Sequence, residues 1–366
     1  MNFLISPNAF KGTIEAEDAA VLIGYELTKK YPTATIELCP IADGGDGTCF
    51  LLGKALKLPQ RELITLDPLG RPGQGFYFWD KANGTAYLDV STVSGIRHLK
   101  YYELNTWIAS SYGTGDLIRH AVESGVKHIV LGLGGSATVD LGLGILRGLG
   151  YLFLDQNGRE IPVFSEIFLK KIRHIQAPVL KHAVKFTCLC DVNNYFFGAE
   201  GAIPVFGPQK GLDREEFQEF EKSCSNVLSI LGKKSGKQVL DSPGFGAAGG
   251  IAFGLSFFFP VEIQMGAQWI FRQVNLEEKI KLADIIITGE GRYDSQSAGG
   301  KGSFELLQMA KSYGKKIVLI TSGRGGENAG FDEVLMLPDL DFGEKNFQDQ
   351  AKNNLRDCVR NWDVDF

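Results

Sequence analysis

Three apolar runs in the last third of the chain decide the fold: ADIIITGE (283–290), KKIVLITS (315–322) and DEVLMLP (332–338). Each run is short and rich in aliphatic residues, and stretches of helical character separate them. Such runs are typical of parallel strands that helices cover on both faces. The amino-terminal segment shows the same alternation, with NFLIS (2–6) and ATIELCP (34–40). The two chain ends therefore predict one Rossmann-like domain with a parallel sheet.

The middle of the chain has a different pattern. GQGFYFWD and NGTAYLDVS, both within residues 72–100, are consecutive strand-like runs separated by a turn, which indicates a mixed sheet. The sequence thus predicts an α/β protein of two domains: a Rossmann-like domain at 1–72 and 281–366, and an inserted α/β domain with a mixed sheet at 73–280. A cleft between domains is a common location for ligands.

Composition restricts the class of partner. The 366 residues carry a formal net charge of −5 with both signs mixed, which argues against nucleic acid as a partner. The amino terminus lacks the pattern of a signal peptide, and the apolar run at 251–263 is too short to span a bilayer. We expect a cytoplasmic monomer or homodimer that acts on a small molecule, away from membranes.

The stretch GLGGSATVD (132–140) follows an apolar run and predicts a glycine-rich turn from a strand into a helix. Backbone N–H groups at such a helix start bind anions, because they point at the ligand and the helix dipole favours negative charge. This predicts a phosphate site formed by Gly134, Gly135 and Ser136.

Two alternatives for this stretch remain open. Gly132, Gly134 and Ala137 match G-x-G-x-x-A, and Asp155 follows the next strand-like run, as in the dinucleotide fingerprint. That match predicts a nicotinamide-dependent oxidoreductase of a small hydroxy acid. The other alternative is structural: the glycines allow only close packing of a helix on a strand.

Acidic residues follow two other strand-like runs. IADGGDGT (41–48) places Asp43 and Asp46 on either side of a Gly-Gly turn, and paired carboxylates suit Mg²⁺ beside phosphates. The structural alternative is that Asp46 caps the following helix and Asp43 forms an Asx turn. After ADIIIT come four further charged residues, at a strand end where open α/β sheets bind ligands: Glu290, Arg292, Asp294 and Lys301.

Three further charged residues lie near predicted strand ends. Lys11 follows the first strand, Asp191 follows the run AVKFTCLC, and Lys210 lies in a Gly/Pro turn. Phosphoryl transfer needs cations around the moving phosphate, acids that hold Mg²⁺, and a carboxylate that receives the acceptor's hydroxyl proton. The charged loops together meet these needs. The sequence contains neither a G-x-S-x-G nucleophile elbow nor a His pair at metal-binding spacing.

Seven motifs occur in an order that resembles the bacterial-type glycerate kinases that use ATP. They extend from residue 3 to about residue 320, and they are SPNAFKGT, IADGGDGT, GLGGSATVD, CDVNN, FGPQKG, PGFGAAGG and TGEGRYDSQS with GKG. The resemblance implies a Rossmann-like domain with an inserted α/β domain. It also implies transfer of phosphate from ATP to D-glycerate, giving a phosphoglycerate that is usually the 2-phosphate.

The residues in matching motif positions receive roles from this resemblance and from their chemistry. Asp191 is the first candidate for the general base and Asp294 the second. Lys11 and Lys210 are expected to contact glycerate or phosphate, and Asp43 and Arg292 to contact the substrate. The remaining roles are Mg²⁺ binding by Asp43, Asp46 and Glu290, and ATP binding by Gly134, Gly135, Ser136 and Lys301.

The chain departs from the family pattern at three positions. Val139 stands where the family usually has Asn, Leu141 where it has Gly, and Phe245 where it has a small residue. Val139 and Leu141 make this loop less polar than in related proteins. They also motivate a non-catalytic alternative, a sensor of hydroxy acid or nucleotide on the same fold.

Overall fold

The computed structural model describes residues 1–10, 12–180, 182–293 and 302–364. The chain forms two compact units. The first, here called the terminal unit, comprises residues 1–43 and 266–366. The second, the inserted unit, comprises residues 44–265. No helix in the described part of the chain has the length and apolar character needed to span a membrane.

The strands, in chain order, are β1 (Asn2–Ile5), β2 (Thr35–Leu38), β3 (Gln60–Leu66), β4 (Pro72–Asp80), β5 (Thr85–Asp89), β6 (His128–Gly132), β7 (Leu152–Leu154), β8 (His174–Gln176), β9 (Lys185–Cys190), β10 (Val261–Met265), β11 (Ile285–Gly289), β12 (Lys316–Thr321) and β13 (Glu333–Met336). The α-helices are α1 (Ala16–Lys30), α2 (Thr48–Ala55), α3 (Ser91–Ser94), α4 (Tyr112–Glu123), α5 (Leu143–Gly148), α6 (Phe168–Lys171), α7 (Ala202–Phe206), α8 (Phe217–Ser235), α9 (Ile251–Ser256), α10 (Gly266–Gln273), α11 (Leu276–Leu282), α12 (Gly302–Ser312) and α13 (Phe347–Asn361).

The terminal unit is built on a five-stranded sheet in the order β13-β12-β11-β1-β2. All its strands are parallel, as predicted. Alternate side chains point to opposite faces, so Phe3 and Ile5 join a core with α1 and α13, whereas Leu4 joins a core with α10, α11 and α12. Helices on both faces explain why these strands are apolar throughout.

The inserted unit contains a six-stranded mixed sheet in the order β10-β9-β6-β5-β4-β3. The pairs β3–β4 and β4–β5 are antiparallel, and the remaining pairs are parallel. Strands β7 and β8 form a separate antiparallel pair. The structure confirms the predicted class, an α/β protein with one parallel and one mixed sheet.

The unit boundaries lie at 43/44 and 265/266, before the predicted boundaries at 72/73 and 280/281. The first difference arises from β3, which pairs with β4 over its whole length, from Gln60 opposite Phe78 to Leu66 opposite Pro72. The second arises from α10 and α11, whose Phe271 and Ile280 are buried in the core of the terminal unit. Strand pairing therefore assigns β3 to the inserted unit, and core packing assigns α10 and α11 to the terminal unit.

Candidate active site

A cavity of about 1040 Å³ lies in the terminal unit where its strands end. Segments that follow β1, β2, β11, β12 and β13 all line it. Helix α1 connects β1 to β2 on one face of the sheet, and α12 lies between β11 and β12 on the other. The neighbouring strands β1 and β11 therefore form a topological switch point, the usual ligand position in an open α/β sheet.

Two predicted carboxylates line this cavity at the switch point. Asp43 and Glu290 are both mostly buried, with 4% and 7% of their surfaces exposed. Asn8 donates from Nδ2 to Asp43 Oδ2 at 3.2 Å, and its backbone N–H donates to the carbonyl of Gly289 at 2.8 Å. Asn8 thus fixes Asp43 beside the strand end that carries Glu290. Sequence analysis did not identify Asn8, although it lies within SPNAFKGT.

Two arginines line the same cavity. Arg292 is held by its loop, because the Tyr293 N–H donates to Thr321 Oγ1 at 3.0 Å and the Arg292 stem lies against Gly323. Arg324 begins a short 3₁₀ turn after β12. Within the described ranges, neither guanidinium forms an ion pair, so both charges are available to an anion. Arg324 was not identified from the sequence.

A second group of predicted residues lies in the inserted unit, at the carboxyl ends of β6 and β9. These strands pair in parallel, with Gly132 opposite Leu189. Gly134 and Asp191 each lie two residues beyond that pair, so they occupy the same edge of the sheet. The structure thus brings the GLGGSATVD stretch beside the predicted base.

The GLGGSATVD stretch does not lead directly into a helix, contrary to prediction. Helix α5 begins only at Leu143, after a loop of residues 133–142. Neighbouring segments bind two amides of this loop: Ala137 N–H donates to the Ser94 carbonyl at 3.0 Å and Leu141 N–H to the Gly249 carbonyl at 3.0 Å. These two amides therefore anchor the loop to its neighbours, while the phosphate site of Gly134, Gly135 and Ser136 stays a prediction.

Lys210 is buried directly beneath this loop. Its Nζ donates to Ser136 Oγ at 2.8 Å and to the Thr138 carbonyl at 2.9 Å, and only 4% of the residue is exposed. Thr106 Oγ1 in turn donates to the Lys210 carbonyl at 2.9 Å. Lys210 therefore positions the loop, while its predicted contact with glycerate or phosphate stays a prediction.

Asp140, the last residue of GLGGSATVD, connects the loop to two helices. Its carboxylate accepts hydrogen bonds from the Ser111 N–H and Oγ, both at 2.8 Å, and from the Gly144 N–H at 3.1 Å. Burial raises the pKa of the Asp140 carboxyl, and these hydrogen bonds oppose the rise. The carboxylate thus satisfies N–H groups at the starts of α4 and α5.

Comparison with known proteins assigns the family. A model of the glycerate kinase family matches residues 3–362. The chain belongs to the glycerate kinase family. It is 35% identical to the glycerate kinase of Haemophilus influenzae over 372 residues, 97% of this chain and 98% of that relative. It is 34% identical to the glycerate 2-kinase of Escherichia coli over 322 residues, 87% of this chain and 84% of that relative.

A solved structure gives the same result for the fold. A crystal structure from Salmonella typhimurium LT2, provisionally named glycerate kinase 2, superposes with a TM-score of 0.84 at 31% identity. The match covers 99% of this chain and 96% of that chain. These comparisons confirm the resemblance carried by the seven motifs. They support neither the oxidoreductase nor the sensor alternative.

The geometry of this glycerate kinase family member also contradicts the dinucleotide fingerprint. Asp155 would have to end a strand beside β6, but β7 pairs with β8 in a sheet separate from the six-stranded one. The Asp155 carboxylate instead accepts from the N–H groups of Asn157 and Arg159, at 2.8 and 2.9 Å, in an exposed turn. These bonds lower the Asp155 pKa and give the residue a structural role.

The predicted Mg²⁺ ligands divide between the two units. Mg²⁺ commonly takes one or two protein carboxylates beside phosphate oxygens and waters, which Asp43 and Glu290 fit. Asp46 belongs to the inserted unit, where Ser91 Oγ hydrogen-bonds its carboxylate and Arg97 lies 4.0 Å away. Among the described residues, no three acidic, His or Cys side chains gather as a metal site. A shared Mg²⁺ site of Asp43, Asp46 and Glu290 stays a prediction.

Asp46 does not cap the following helix either. The N-cap of α2 is Gly47, and the cap comes from Asp89, whose carboxylate accepts from the N–H groups of Cys49 and Phe50 at 3.0 Å each. Burial raises the Asp89 pKa to about 7. Asp89 was not identified from the sequence.

The predicted site residues Lys11, Asp294 and Lys301 lie outside the described residues.

The pKa of Lys210 predicts a pH-dependent stability. Burial lowers it to about 7, and the Asp140 carboxylate opposes the shift. Between pH 7 and about 10.4, the unfolded chain binds one more proton at this residue than the folded chain, so the free energy of unfolding rises with pH by up to about 1.4 kcal/mol per unit. Below pH 7 both states are protonated and this dependence disappears.

Urea unfolding of wild type and Lys210→Met measures this effect. We expect the stability difference, wild type minus variant, to grow by about 2 kcal/mol between pH 7.5 and 9. Because every other titrating group is shared, the subtraction isolates Lys210. A difference that stays flat over this range would show that Lys210 keeps its ordinary pKa.

Proposed function

We propose that this protein catalyses transfer of the γ-phosphoryl group of ATP to D-glycerate, with the 2-hydroxyl as acceptor and Mg²⁺ as cofactor. One observation beyond family membership carries the proposal: the buried carboxylates of Asp43 and Glu290 line one cavity at a switch point together with the guanidiniums of Arg292 and Arg324. Phosphoryl transfer depends on such positioned charges, because little covalent chemistry remains for the protein to perform.

Asp43 and Glu290 are the proposed Mg²⁺ ligands. When bound, Mg²⁺ neutralises charge that develops on the transferred phosphoryl group. Asn8 supports this role by orienting Asp43 through the 3.2 Å hydrogen bond from its amide. Carboxylates that a neighbour orients in advance need little rearrangement when the ligand arrives.

Asp191 is the proposed general base, which receives the proton of the acceptor hydroxyl. It is partly buried just past β9, and Gly134 lies equally far past the neighbouring strand β6, so both residues follow the same edge of the sheet. The exposed Gly135 and the partly exposed Gly134 leave peptide groups accessible to an anionic oxygen. Asp294 remains the second candidate for the base.

A coupled assay of ADP release tests this function. We expect ADP to form only when D-glycerate and Mg²⁺ are both present, and phosphorus NMR of the product to identify 2-phosphoglycerate. L-glycerate and other small hydroxy acids serve as matched controls for acceptor shape. If neither D-glycerate nor any related hydroxy acid stimulates ADP release, the proposed function is wrong.

We also propose a cytoplasmic location, as a monomer or a homodimer. The six cysteines are all unpaired, as expected of a protein in a reducing compartment where ATP is present. The partners that we propose are two small molecules, ATP and the hydroxy acid.

A further inference from the structure

Arg97, which sequence analysis did not identify, lies beside the exposed turn of the GLGGSATVD stretch in the inserted unit. On one side of it, the Ile96 N–H donates to the Gly135 carbonyl at 2.9 Å. On the other side, His98 Nε2 donates to the Thr92 carbonyl at 2.9 Å. Hydrogen bonds of both neighbouring residues therefore fix the backbone of Arg97 next to the turn.

The guanidinium of Arg97 keeps its capacity to bind an anion. The side chain is 52% exposed, and Nη1 lies 4.0 Å from Oδ2 of Asp46. That distance permits attraction between the charges but is too long for a hydrogen bond. No residue in the described ranges accepts a hydrogen bond from this guanidinium. A planar guanidinium in this state suits bidentate binding of a carboxylate or a phosphate group.

The turn beside this guanidinium adds backbone donors. Among the described residues, the N–H groups of Gly134, Gly135 and Ser136 have no hydrogen-bond acceptor, whereas the next amide, of Ala137, is bonded to a neighbouring segment. Gly135 is exposed and has a left-handed φ of 69°. Successive N–H groups around a left-handed residue form a concave nest that binds anionic oxygens.

Asp46 restricts which anion fits this nest. A Cβ added to Gly135 would lie 3.1 Å from Asp46 Oδ2, so the carboxylate stands directly beside the turn. Its negative charge disfavours a polyanionic phosphate group, whereas a carboxylate of single charge is balanced by Arg97. The Asp46 oxygens can also accept a hydrogen bond from a hydroxyl group of the same ligand. A small hydroxy acid carries both groups.

We propose that Arg97 and the nest around Gly135 bind the carboxylate of the hydroxy-acid acceptor. The inference rests on the proposed function for the identity of this acceptor. It makes Arg97 a residue that determines specificity, because an acid pairs with the guanidinium and a neutral analogue of the same shape does not. The backbone donors of the nest orient the carboxylate, and the guanidinium supplies the charge.

Calorimetric titration of the full-length protein with D-glycerate, its neutral amide and inorganic phosphate tests this site without turnover. We expect Arg97→Gln to weaken D-glycerate binding by about tenfold to a hundredfold, the effect of losing a charged hydrogen-bond partner. Binding of the amide and of phosphate should not change. Arg97→Lys should restore part of the affinity, since it keeps the charge but not the planar fork.

Steady-state kinetics gives a second measurement. In Arg97→Gln the KM for D-glycerate should rise by the same factor, while the KM for ATP stays unchanged. Arg119→Gln is the matched control: it removes a half-exposed arginine on α4 of the same unit, where the guanidinium pairs with Asp116. It should alter neither KM. Thermal unfolding of each variant checks its fold.

The outcomes separate this inference from the proposed function. If wild type phosphorylates D-glycerate and Arg97→Gln binds it as tightly as wild type does, the carboxylate site is wrong and the function stands. If D-glycerate binding depends on Arg97 but ADP never forms, the function is wrong and the carboxylate site stands. Equal weakening of D-glycerate and its amide, weakening of phosphate alone, or no binding of D-glycerate by wild type would each overturn the inference.

Discussion

Asp43→Asn and Glu290→Gln are each expected to lower kcat for glycerate phosphorylation about a thousandfold, since metal ligation contributes several kcal/mol to such a transition state. Both substitutions keep the shape of the side chain and remove only its charge. The Asn8 amide can still donate to the carbonyl oxygen of an Asn at position 43, so the hydrogen bond now seen at 3.2 Å survives. The fold should therefore persist while metal binding weakens.

The dependence of the rate on Mg²⁺ concentration distinguishes a carboxylate that binds the metal from one that only stabilises the fold. In both variants the Mg²⁺ concentration for half-maximal rate should rise, and high Mg²⁺ should restore part of the lost kcat. Asp339→Asn is the matched control, because Asp339 lines the same cavity with an exposed carboxylate. It should stay within threefold of wild type. If both test variants keep more than a tenth of wild-type kcat, the metal does not depend on these carboxylates.

The sheet of the terminal unit was predictable because its strands are covered on both faces. Burial on both faces requires continuous apolar runs, and ADIIITGE, KKIVLITS and DEVLMLP meet that requirement locally. Parallel strands also carry their ligand-binding loops at one edge. For this reason Glu290 and Asp43, both found just past strand-like runs, proved to line one cavity.

Burial of single polar residues was not predictable in the same way. Lys210 looks like an exposed loop cation in FGPQKG, and only the packing of that loop beneath residues 136–138 shows that its Nζ is enclosed. The backbone conformation of Leu141 was not predictable from the sequence either. It is buried with φ of 54°, a left-handed conformation that its side chain disfavours. The hydrogen bond from its N–H to the Gly249 carbonyl and the burial of its side chain in the core explain why this conformation is tolerated.

Residues without a distinctive local pattern were missed for a further reason. Asn8 and Arg324 lie in loops after two different strands, and they line one cavity because the sheet brings the ends of those strands to the same edge. Asp46 stays a predicted Mg²⁺ ligand. The structure adds two partners of its carboxylate that the local pattern did not indicate, Ser91 and Arg97.

Gly134→Ala is expected to lower the free energy of unfolding by about 3 kcal/mol, the upper end of the range for overpacking. A Cβ at this position would lie 2.1 Å from the carbonyl carbon of Gly45 and 2.3 Å from the backbone nitrogen of Asp46. Backbone atoms cannot rotate away as a side chain can, so the turn that carries Asp46 or the loop that carries Ser136 must move. Displacement by about 1 Å at a reacting centre is enough for a hundredfold loss of kcat.

Gly73→Ala is the matched control for this prediction. Gly73 lies in β4 of the same unit, and its added Cβ would meet no atom closer than 3.8 Å. The two variants differ only in the space that the methyl group finds, so urea unfolding should give a change within about 0.5 kcal/mol for Gly73→Ala. If Gly134→Ala is as stable and as active as Gly73→Ala, the close approach of residues 134 and 45 is not a feature of the folded protein.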